Sequence, residues 1–179
     1  MDDYGNIIIM GTTGSGKSVL AQAIAQRTGR TVIELDDLNF LPGWRQRAPD
    51  DFCAQVAAAI AAVPGGWVAA GNYSILRPVL WPAAHTIVAL DYHGLRVFWR
   101  LLCRTLSRQI TRTPVCNGNV ETFDRVFFSR ESILLWFFKS HRPRQRKLEK
   151  LINDPGAGAH LRIIRLRSPQ ETSQWLSTL

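Results

Sequence analysis

Short apolar runs alternate along this chain with segments whose apolar residues recur at helical spacing. Five such runs predict buried strands, at residues 6–10, 31–35, 67–70, 86–90 and 161–166. Between the first two strands, residues 17–28 predict a helix that ends at Gly29. Between the second and third strands, residues 50–63 predict another helix, which ends before Pro64 and two glycines. Strands that alternate with helices are typical of a parallel sheet covered by helices on both faces. The pattern therefore predicts an α/β fold.

A predicted helix at residues 95–111 carries two opposed stripes. Arginine recurs every four residues, and apolar side chains recur at the same spacing about 200° away around the helix. The stripes are Arg96, Arg100, Arg104, Arg108 and Arg112, and Phe98, Leu102, Leu106 and Ile110. Like charges four residues apart cost about 0.2–0.5 kcal/mol per pair, so an anion is expected to compensate them. We expect the apolar stripe to pack on the protein and the arginines to meet that anion. A solvated face whose Arg stems cover apolar surface is the alternative.

Composition sets limits on the class of protein. With 179 residues and 46% hydrophobic side chains, the chain suits one folded domain, residues 1–179, and is not a disordered protein. No apolar run approaches the roughly 18 residues of a membrane span, and the acidic start does not resemble a signal peptide. Three cysteines without paired spacing, Cys53, Cys103 and Cys116, indicate a reducing cytoplasm and no disulfide framework.

Charge is distributed unevenly along the chain. Residues 1–91 carry a net charge of −2, whereas residues 92–179 carry a net charge of +10. Arginine accounts for 18 of the 22 basic residues, and its planar group suits phosphate better than a point charge does. A basic half implies an anionic ligand, and nucleotide phosphates, a nucleic acid or an acidic membrane surface all fit it.

The most specific motif is Gly11-Thr12-Thr13-Gly14-Ser15-Gly16-Lys17-Ser18, which matches the phosphate-loop pattern G-x-x-x-x-G-K-[ST] in full. Its glycines let backbone amides approach an anion, and these amides and the start of the next helix form a nest for a phosphate. The lysine reaches the β- and γ-phosphates, and the serine hydroxyl coordinates Mg²⁺. A strand before the motif and a helix after it are both predicted, as the pattern requires.

The kind of phosphate-loop protein can be narrowed from motifs that the sequence lacks. The Asn-Lys-x-Asp stretch with which GTPases read guanine does not occur, nor does the Leu-Ser-Gly-Gly-Gln signature of transporters. The four histidines show no metal-ligand spacing. A short chain with a basic helical insert after its fourth strand is typical of the small-molecule kinases of this class.

Polar residues follow the second and third strands, at the edge where ligands bind in an open parallel sheet. Asp36 and Asp37 come after the second strand, where a carboxylate can hold Mg²⁺ or take a proton from an attacking hydroxyl. A helix or turn cap is the alternative for either aspartate. Gly71, Asn72 and Tyr73 follow the third strand and either contact the acceptor or form an ordinary turn.

Two further segments carry candidate features. Trp44 ends the turn that begins at Leu41, and it either covers an acceptor or packs on the core. Residues 113–119 contain Pro114 and Gly118 and predict a flexible tip, which a closing lid needs.

Over nearly its whole length the chain resembles the adenylate-kinase-like phosphate-loop proteins described as related to the DNA topology modulation protein FlaR. Beyond the phosphate loop, the resemblance rests on motifs specific to that family. These are Leu35-Asp36-Asp37 with Pro42-Gly43-Trp44, Gly71-Asn72-Tyr73-Ser74, the arginine helix from Arg96 to Arg108, Asn117-Gly118-Asn119-x-Glu121, Ser132-Ile133-Leu134-x-Trp136 and the basic run 139–147.

The resemblance implies a P-loop NTPase three-layer sandwich with a five-stranded parallel sheet in the order 2-3-1-4-5. It also implies a basic helical lid at residues 95–147. Three lid arginines would close on the nucleotide phosphates, and the loop after the fifth strand would flank the adenine. These residues are Arg100, Arg104 and Arg108, and Arg167, Ser168 and Pro169.

Three positions depart from the family pattern. Ala70 stands where the family has an aspartate, Cys116 where it has an aromatic residue, and Val120 where it has an arginine. An aspartate at the end of the third strand normally orders the water shell of Mg²⁺. We therefore expect Asp36 or Asp37 to supply the missing carboxylate, with Ser18 and Asp36 as the metal ligands.

The predicted function is an ATP-dependent kinase that moves the γ-phosphate to a small hydroxyl, nucleoside or nucleotide acceptor, with ATP and Mg²⁺ as cofactors. The expected catalytic residues are Lys17, Asp36, Asp37 and the three lid arginines, and the acceptor is expected at Asp36, Trp44, Gly71, Asn72 and Tyr73. A non-catalytic nucleotide-binding switch, which Ala70 favours, and a nucleic-acid-associated protein, which the basic half favours, are the alternatives. No membrane partner is expected.

Overall fold

The computed structural model of the chain describes residues 4–111, 116–119, 143, 145–153 and 156–179. Most of the expected lid at residues 95–147, including the motif at residues 132–136 and Arg112, lies outside the described residues. Among the helices that the structure describes, none has the length and apolar character needed to cross a membrane.

Strands and helices alternate along the described chain. The strands are β1 (Ile7–Gly11), β2 (Thr31–Glu34), β3 (Phe40–Leu41), β4 (Arg45–Gln46), β5 (Trp67–Ala70), β6 (Thr86–Leu90) and β7 (Arg162–Leu166). The helices are α1 (Lys17–Thr28), α2 (Leu35–Asn39), α3 (Pro49–Ala61), α4 (Arg77–Leu80), α5 (Gly94–Thr111) and, at the end of the chain, α6 (Pro169–Leu176). Residues 145–153 are also helical. Short 3₁₀ segments lie at Pro42–Trp44, Ser74–Leu76 and Gly156–Gly158.

Five strands form one parallel sheet in the order β2-β5-β1-β6-β7. Counting these strands alone, the order is 2-3-1-4-5, so the predicted topology is confirmed. The register pairs Glu34 with Ala70, Ile9 with Ala70, and Gly11 with Leu90. The carboxyl ends of four neighbouring strands therefore meet at one edge of the sheet.

The core lies on both faces of this sheet, because successive side chains of a strand point to opposite faces. Ile7 and Ile9 pack with apolar residues of α1 and α5 on one face. Ile8 packs on the other face with α3 and the segment around α4, including Phe52 and Leu76. The result is the three-layer arrangement expected from the sequence.

Two local details differ from the sequence prediction. The second strand ends at Glu34 because Leu35, 1% exposed, begins a short helix and turns its side chain into the core. The aspartates at positions 36 and 37 therefore lie in the first turn of α2. The small antiparallel hairpin β3–β4, which brackets the turn that contains Trp44, was not predicted.

Candidate active site

The phosphate loop joins the end of β1 to the start of α1. Gly16 is the N-cap of α1 and has a φ of 98°, and Gly14 has a φ of 84°, both in the left-handed region that favours glycine. Within the described chain, α1 has no side-chain cap and no acidic residue in its first turn. The start of α1 therefore presents the positive end of a helix dipole, where an anion binds favourably.

Helix α5 packs directly on this loop. A Cβ placed on Gly14 would lie 2.9 Å from Leu101 Cβ and 3.1 Å from the carbonyl oxygen of Val97. A Cβ placed on Gly16 would lie 2.9 Å from the Arg100 Nη2 atom. The loop glycines thus serve two purposes, since they free the backbone and let α5 come close enough to place the Arg100 guanidinium at the start of α1.

Replacing Gly14 with alanine is expected to destabilise the protein. The left-handed conformation costs an alanine about 1 kcal/mol, and the contact with Leu101 adds an overpacking cost of about 1–3 kcal/mol. Gly29 is the matched control, because its φ is 72° and an added Cβ would meet nothing within 4 Å. Urea unfolding should show a larger loss for Gly14→Ala than for Gly29→Ala. Equal losses would contradict the packing of α5 on the loop.

Two polar side chains hold the entrance of the loop. Lys17 Nζ donates hydrogen bonds to the carbonyl oxygens of Gly11 and Thr12, at 3.0 and 3.2 Å. The Asn72 side chain pairs with the backbone of Gly11 twice, accepting from its N–H at 3.0 Å and donating to its carbonyl oxygen. Asn72 is therefore fixed on the phosphate loop and continues the pairing of β5 with β1 beyond Ala70.

The remaining loop side chains face different surroundings. Thr12 and Ser15 are buried, whereas Thr13 is half-buried. The hydroxyl of Ser15 is buried without a hydrogen-bond partner among the described groups. Orphaned buried hydroxyls are uncommon, and one inside a glycine-rich anion cradle fits a loop shaped for phosphate oxygens.

A carboxylate that the sequence analysis did not single out lies next to the loop. The Ser18 hydroxyl donates a 3.0 Å hydrogen bond to Glu34 Oε2. Glu34 is the last residue of β2 and the register partner of Ala70, where the expected aspartate is missing. The position could have been found from the sequence, because a strand's last residue lies at the ligand-binding edge. Oxygen donors of this kind, a hydroxyl and a carboxylate, suit Mg²⁺.

The charge of Glu34 is unfavourable in the folded protein. Burial raises the pKa of its carboxyl above the usual value, and the charges of Asp37 and Asp36 raise it further, against the lowering effects of Ser18 and Lys17. An acid with a raised pKa in the folded state binds protons more readily there, so ionising it reduces stability as the pH rises through its unfolded pKa. A carboxylate kept at such a cost is typical of a functional site.

Glu34→Gln is accordingly expected to raise the free energy of unfolding at pH 7. The gain should shrink as the pH falls from 7 and vanish below the unfolded pKa of a glutamate, about 4.3, because the wild-type carboxyl, whose pKa is raised in the folded protein, has by then taken up its proton. Urea unfolding of both proteins between pH 4 and pH 7 measures this difference. A variant that is less stable than the wild type at pH 7 would contradict it.

A second polar group lies one element further from the loop, on the predicted acceptor side. The Tyr73 hydroxyl donates a 2.7 Å hydrogen bond to Asp36 Oδ1 and accepts from Asn39 Nδ2 at 3.3 Å. Burial, followed by the Asp36 charge, raises the pKa of Tyr73, so the phenol stays protonated and holds the carboxylate. Gly71 lets the start of α2 lie close to the chain after β5, since a Cβ at position 71 would lie 2.8 Å from Leu35 Cδ1.

The turn at residues 116–119 closes this side. Burial and the neighbouring charges of Asp36 and Asp37 raise the pKa of the Cys116 thiol to about 12, while Arg108 lowers it. The structure brings the expected lid tip up to α2, where Asn117 donates to the carbonyl oxygen of Asp37. Residues 116–119 are hydrogen-bonded to α2 and the β3–β4 hairpin, and the flexibility of the tip at residues 113–119 stays a prediction.

The predicted packing of α5 is borne out only in the first half of the apolar stripe, where Phe98 packs against the core and Leu102 is half-buried. The side chains that this helix buries are Val97, Leu101 and Thr105, whereas Leu106 and Ile110 of the apolar stripe are 42% and 84% exposed. The buried row lies about 60–100° around the helix from the arginines and not opposite them. This row is buried because α5 contacts the phosphate loop, whose glycines let side chains pack closely against the backbone. The arginines consequently lie beside the contact, with Arg104 and Arg108 half-buried.

The other predicted residues have more local roles. Trp44 is half-buried, stacks edge-on against Phe40 and donates its backbone N–H to Asn119. Ser168 is the N-cap of α6, where its hydroxyl accepts from the Glu171 N–H at 3.1 Å, and Pro169 is the first helical residue. Their positions follow the carboxyl end of β7, and a contact with adenine stays a prediction.

Asp91, at the same edge of the sheet, forms an ion pair with Arg165 and accepts a hydrogen bond from the helical residues 145–153. Arg165 of β7 donates to Asp91 Oδ2 from Nε at 2.8 Å and from Nη2 at 2.6 Å. Gln145 donates to the other oxygen of Asp91 at 3.2 Å. The Asp91 side chain is 8% exposed, so this two-pronged pair is largely shielded from water.

Comparison with known proteins identifies the architecture. No protein-family model matches the chain. A gluconokinase from Sinorhizobium meliloti 1021 is similar in structure, with a TM-score of 0.50 and 22% identity over 98% of this chain and 93% of that one. A sugar kinase from Janibacter sp. HTCC2649 has a TM-score of 0.54 and 19% identity over 97% and 92% of the two chains. The chain has the P-loop kinase fold.

One curated protein matches a short segment of this chain at higher sequence identity. A tRNA dimethylallyltransferase from Jannaschia sp. (strain CCS1) is 51% identical over 39 residues, 22% of this chain. The match spans 14% of that protein's length, so it concerns one segment and not a whole architecture. The finer resemblance to FlaR-related proteins stays a prediction.

Proposed function

We propose that the protein is a kinase that transfers the γ-phosphoryl group of ATP to a hydroxyl of a small acceptor. The observation that carries the proposal is the gathering, at one edge of the sheet, of an anion cradle, a carboxylate on the metal-binding serine and a second carboxylate held by a tyrosine. The bond that would form joins the acceptor oxygen to the γ-phosphorus, the bond to the leaving ADP oxygen would break, and Asp36 would take the acceptor's proton.

The described residues divide this work between them. Lys17 and Arg100 lie at the start of α1 and would offset the negative charge of the phosphates. Ser18 and Glu34 are the donors that fit Mg²⁺, whose presence would neutralise charge on the β- and γ-phosphate oxygens. Glu34 would thus supply the carboxylate that is missing at Ala70.

A non-catalytic nucleotide-binding protein is the second candidate, and Ala70 is the observation that favours it. Under that proposal ATP–Mg²⁺ binds, and no acceptor accelerates its conversion to ADP. The same observation loses its force if Glu34 replaces the missing aspartate, because the two residues are partners on neighbouring strands.

Calorimetric titration with ATP–Mg²⁺, followed by an acceptor screen that measures ADP release, separates the two candidates. The structural neighbours are a gluconokinase and a sugar kinase, so sugars and sugar acids are the first compounds to test, before nucleosides and nucleotides. Acceptor-dependent ADP release supports a kinase. ATP binding with the same ADP release in every mixture would support the non-catalytic candidate, and no ATP binding would overturn both.

A further inference from the structure

The side chain of Asn72 takes the place that a backbone peptide group normally has in a sheet. Strands β5 and β1 pair in parallel with Ile9 opposite Ala70. The same register, carried on by two residues, puts Gly11 opposite Asn72. The Gly71 N–H still donates to the Ile9 carbonyl oxygen, at 3.2 Å. At Asn72 the side-chain amide pairs with Gly11 instead, accepting its N–H at 3.0 Å and donating to its carbonyl oxygen.

The residue type suits this place. A peptide group offers an N–H donor and a carbonyl acceptor, and the asparagine side chain carries both on one planar amide. An aspartate would keep the acceptor and lose the donor, and a leucine would offer neither. Both polar atoms of Asn72 are therefore bonded to the backbone of the first residue of the phosphate-loop motif.

The carbonyl oxygen of Gly11 also accepts from the lysine of the motif. Lys17 Nζ donates to it at 3.0 Å and to the Thr12 carbonyl oxygen at 3.2 Å. Under the proposed function Lys17 reaches the β- and γ-phosphates, and an ammonium that turns towards them gives up bonding to these carbonyls. Because Asn72 donates to the Gly11 oxygen from the neighbouring strand, this oxygen keeps a partner when the lysine turns.

We propose that Asn72 is a positioning residue of the ATP site, which holds Gly11 at the entrance of the loop so that Lys17 can bond phosphate oxygens without leaving the Gly11 carbonyl unpaired. This inference rests on the proposed function, since it assumes that ATP binds the loop. Under it, Asn72 acts on the nucleotide side of the site, whereas the sequence analysis predicted a contact with the acceptor.

Asn6, which precedes β1, provides a matched control. Its Oδ1 accepts the Trp67 N–H at 3.1 Å, and its Nδ2 donates to the Ala83 carbonyl oxygen at 2.8 Å. The length of β1 separates Asn6 from Gly11, a distance of about 17 Å along the strand. Asn6→Ala and Asn72→Ala thus each remove an asparagine amide that makes two bonds to the backbone, and only Asn72→Ala does so at the loop.

Amide hydrogen exchange of the nucleotide-free protein, followed by NMR, tests the contact itself. Asn72→Ala should speed exchange of the Gly11 N–H at least about tenfold more than that of the Trp67 N–H, and Asn6→Ala should do the reverse. Equal acceleration of the two amides in Asn72→Ala would mean that its bonds hold the sheet as a whole, and would overturn the proposal. An unchanged Gly11 rate would overturn it as well.

Calorimetric titration with ATP–Mg²⁺ tests the consequence for binding. Asn72→Ala is expected to weaken the affinity about tenfold, because the Gly11 carbonyl then loses its partner when Lys17 turns to the phosphates. Asn6→Ala should keep the wild-type affinity. Urea unfolding of both variants measures the accompanying loss of stability, so an effect on stability alone, which would leave the affinity unchanged, is separated from an effect on the ATP site.

Affinities of Asn72→Ala and Asn6→Ala within twofold of each other overturn the proposal. If Asn72→Ala does not fold, Asn72→Ser compared with Asn6→Ser decides, because a serine keeps a polar group at each position but is too short to make both bonds. A wild type that does not bind ATP–Mg²⁺ would instead be a failure of the proposed function.

Discussion

Lys17→Ala is expected to weaken ATP–Mg²⁺ binding at least about 100-fold while the protein stays folded, because no other cation of the loop can take its place. Its ammonium now bonds two carbonyl oxygens of the loop, at 3.0 and 3.2 Å, and so already lies inside the cradle. A charged donor in that position contributes most when phosphate oxygens replace one of these carbonyls. Calorimetric titration with ATP–Mg²⁺ measures the loss.

Lys150→Ala is the control for this change, because it removes the same side chain from an exposed position in the helical residues 145–153. Circular dichroism and urea unfolding establish that both variants are folded. Wild-type affinity and turnover in Lys17→Ala would show that the loop does not bind nucleotide phosphates, and the proposed function would then fail.

Glu34→Gln is expected to remove most of the effect of Mg²⁺ on ATP affinity and to lower turnover about 100-fold. The reason is its hydrogen bond to Ser18 and its pairing with Ala70. Among the described residues, Glu34 is the carboxylate bonded to the serine that we propose as a metal ligand. Titrations with ATP in the presence and absence of Mg²⁺ test the first effect before any acceptor is known. Initial rates of ADP release test the second.

Asp36→Asn separates the two acidic positions. Asp36 accepts from Tyr73 and has no described bond to Ser18, so the variant should keep the effect of Mg²⁺ on ATP affinity and lose acceptor-dependent turnover. Glu149→Gln, on an exposed helical surface, is the control for replacing a carboxylate with an amide. If Asp36→Asn loses the Mg²⁺ effect and Glu34→Gln keeps it, the two roles are reversed and the sequence-based assignment of Asp36 is restored.

The sequence predicted the sheet and the phosphate loop because both depend on local patterns. Buried strands of four or five apolar residues and a motif of eight residues can be read without knowing what they contact. The roles of Glu34 and of the α5 faces depend on partners that are distant in sequence. Leu35 ends β2 one residue early to fill the core, which leaves Glu34 as the last strand residue, and the glycines at positions 14 and 16 select the face that α5 buries.

The contacts of residues 116–119 were also not predictable from the sequence. Proline and glycine in residues 113–119 predict flexibility, and their composition carries no sign of what the turn contacts. Asn117 and Asn119 were included in a family motif, but hydrogen bonds to carbonyl oxygens in α2 and the hairpin leave no periodicity in the sequence. Such side-chain to backbone pairs can be found only once the fold has placed the two segments together.

The double pairing of Asn72 with Gly11 has a consequence for the order of folding. Every residue of the phosphate-loop motif lies within the first 18 positions, yet the backbone at its entrance is held by a side chain 61 residues later in the chain. Contacts at such separation form late, because the intervening loop must be closed first. A nascent chain or proteolytic fragment that ends before β5 would carry the whole motif with its entrance unheld. If the loop binds phosphate as proposed, we expect full affinity only after the third strand of the sheet has joined the first.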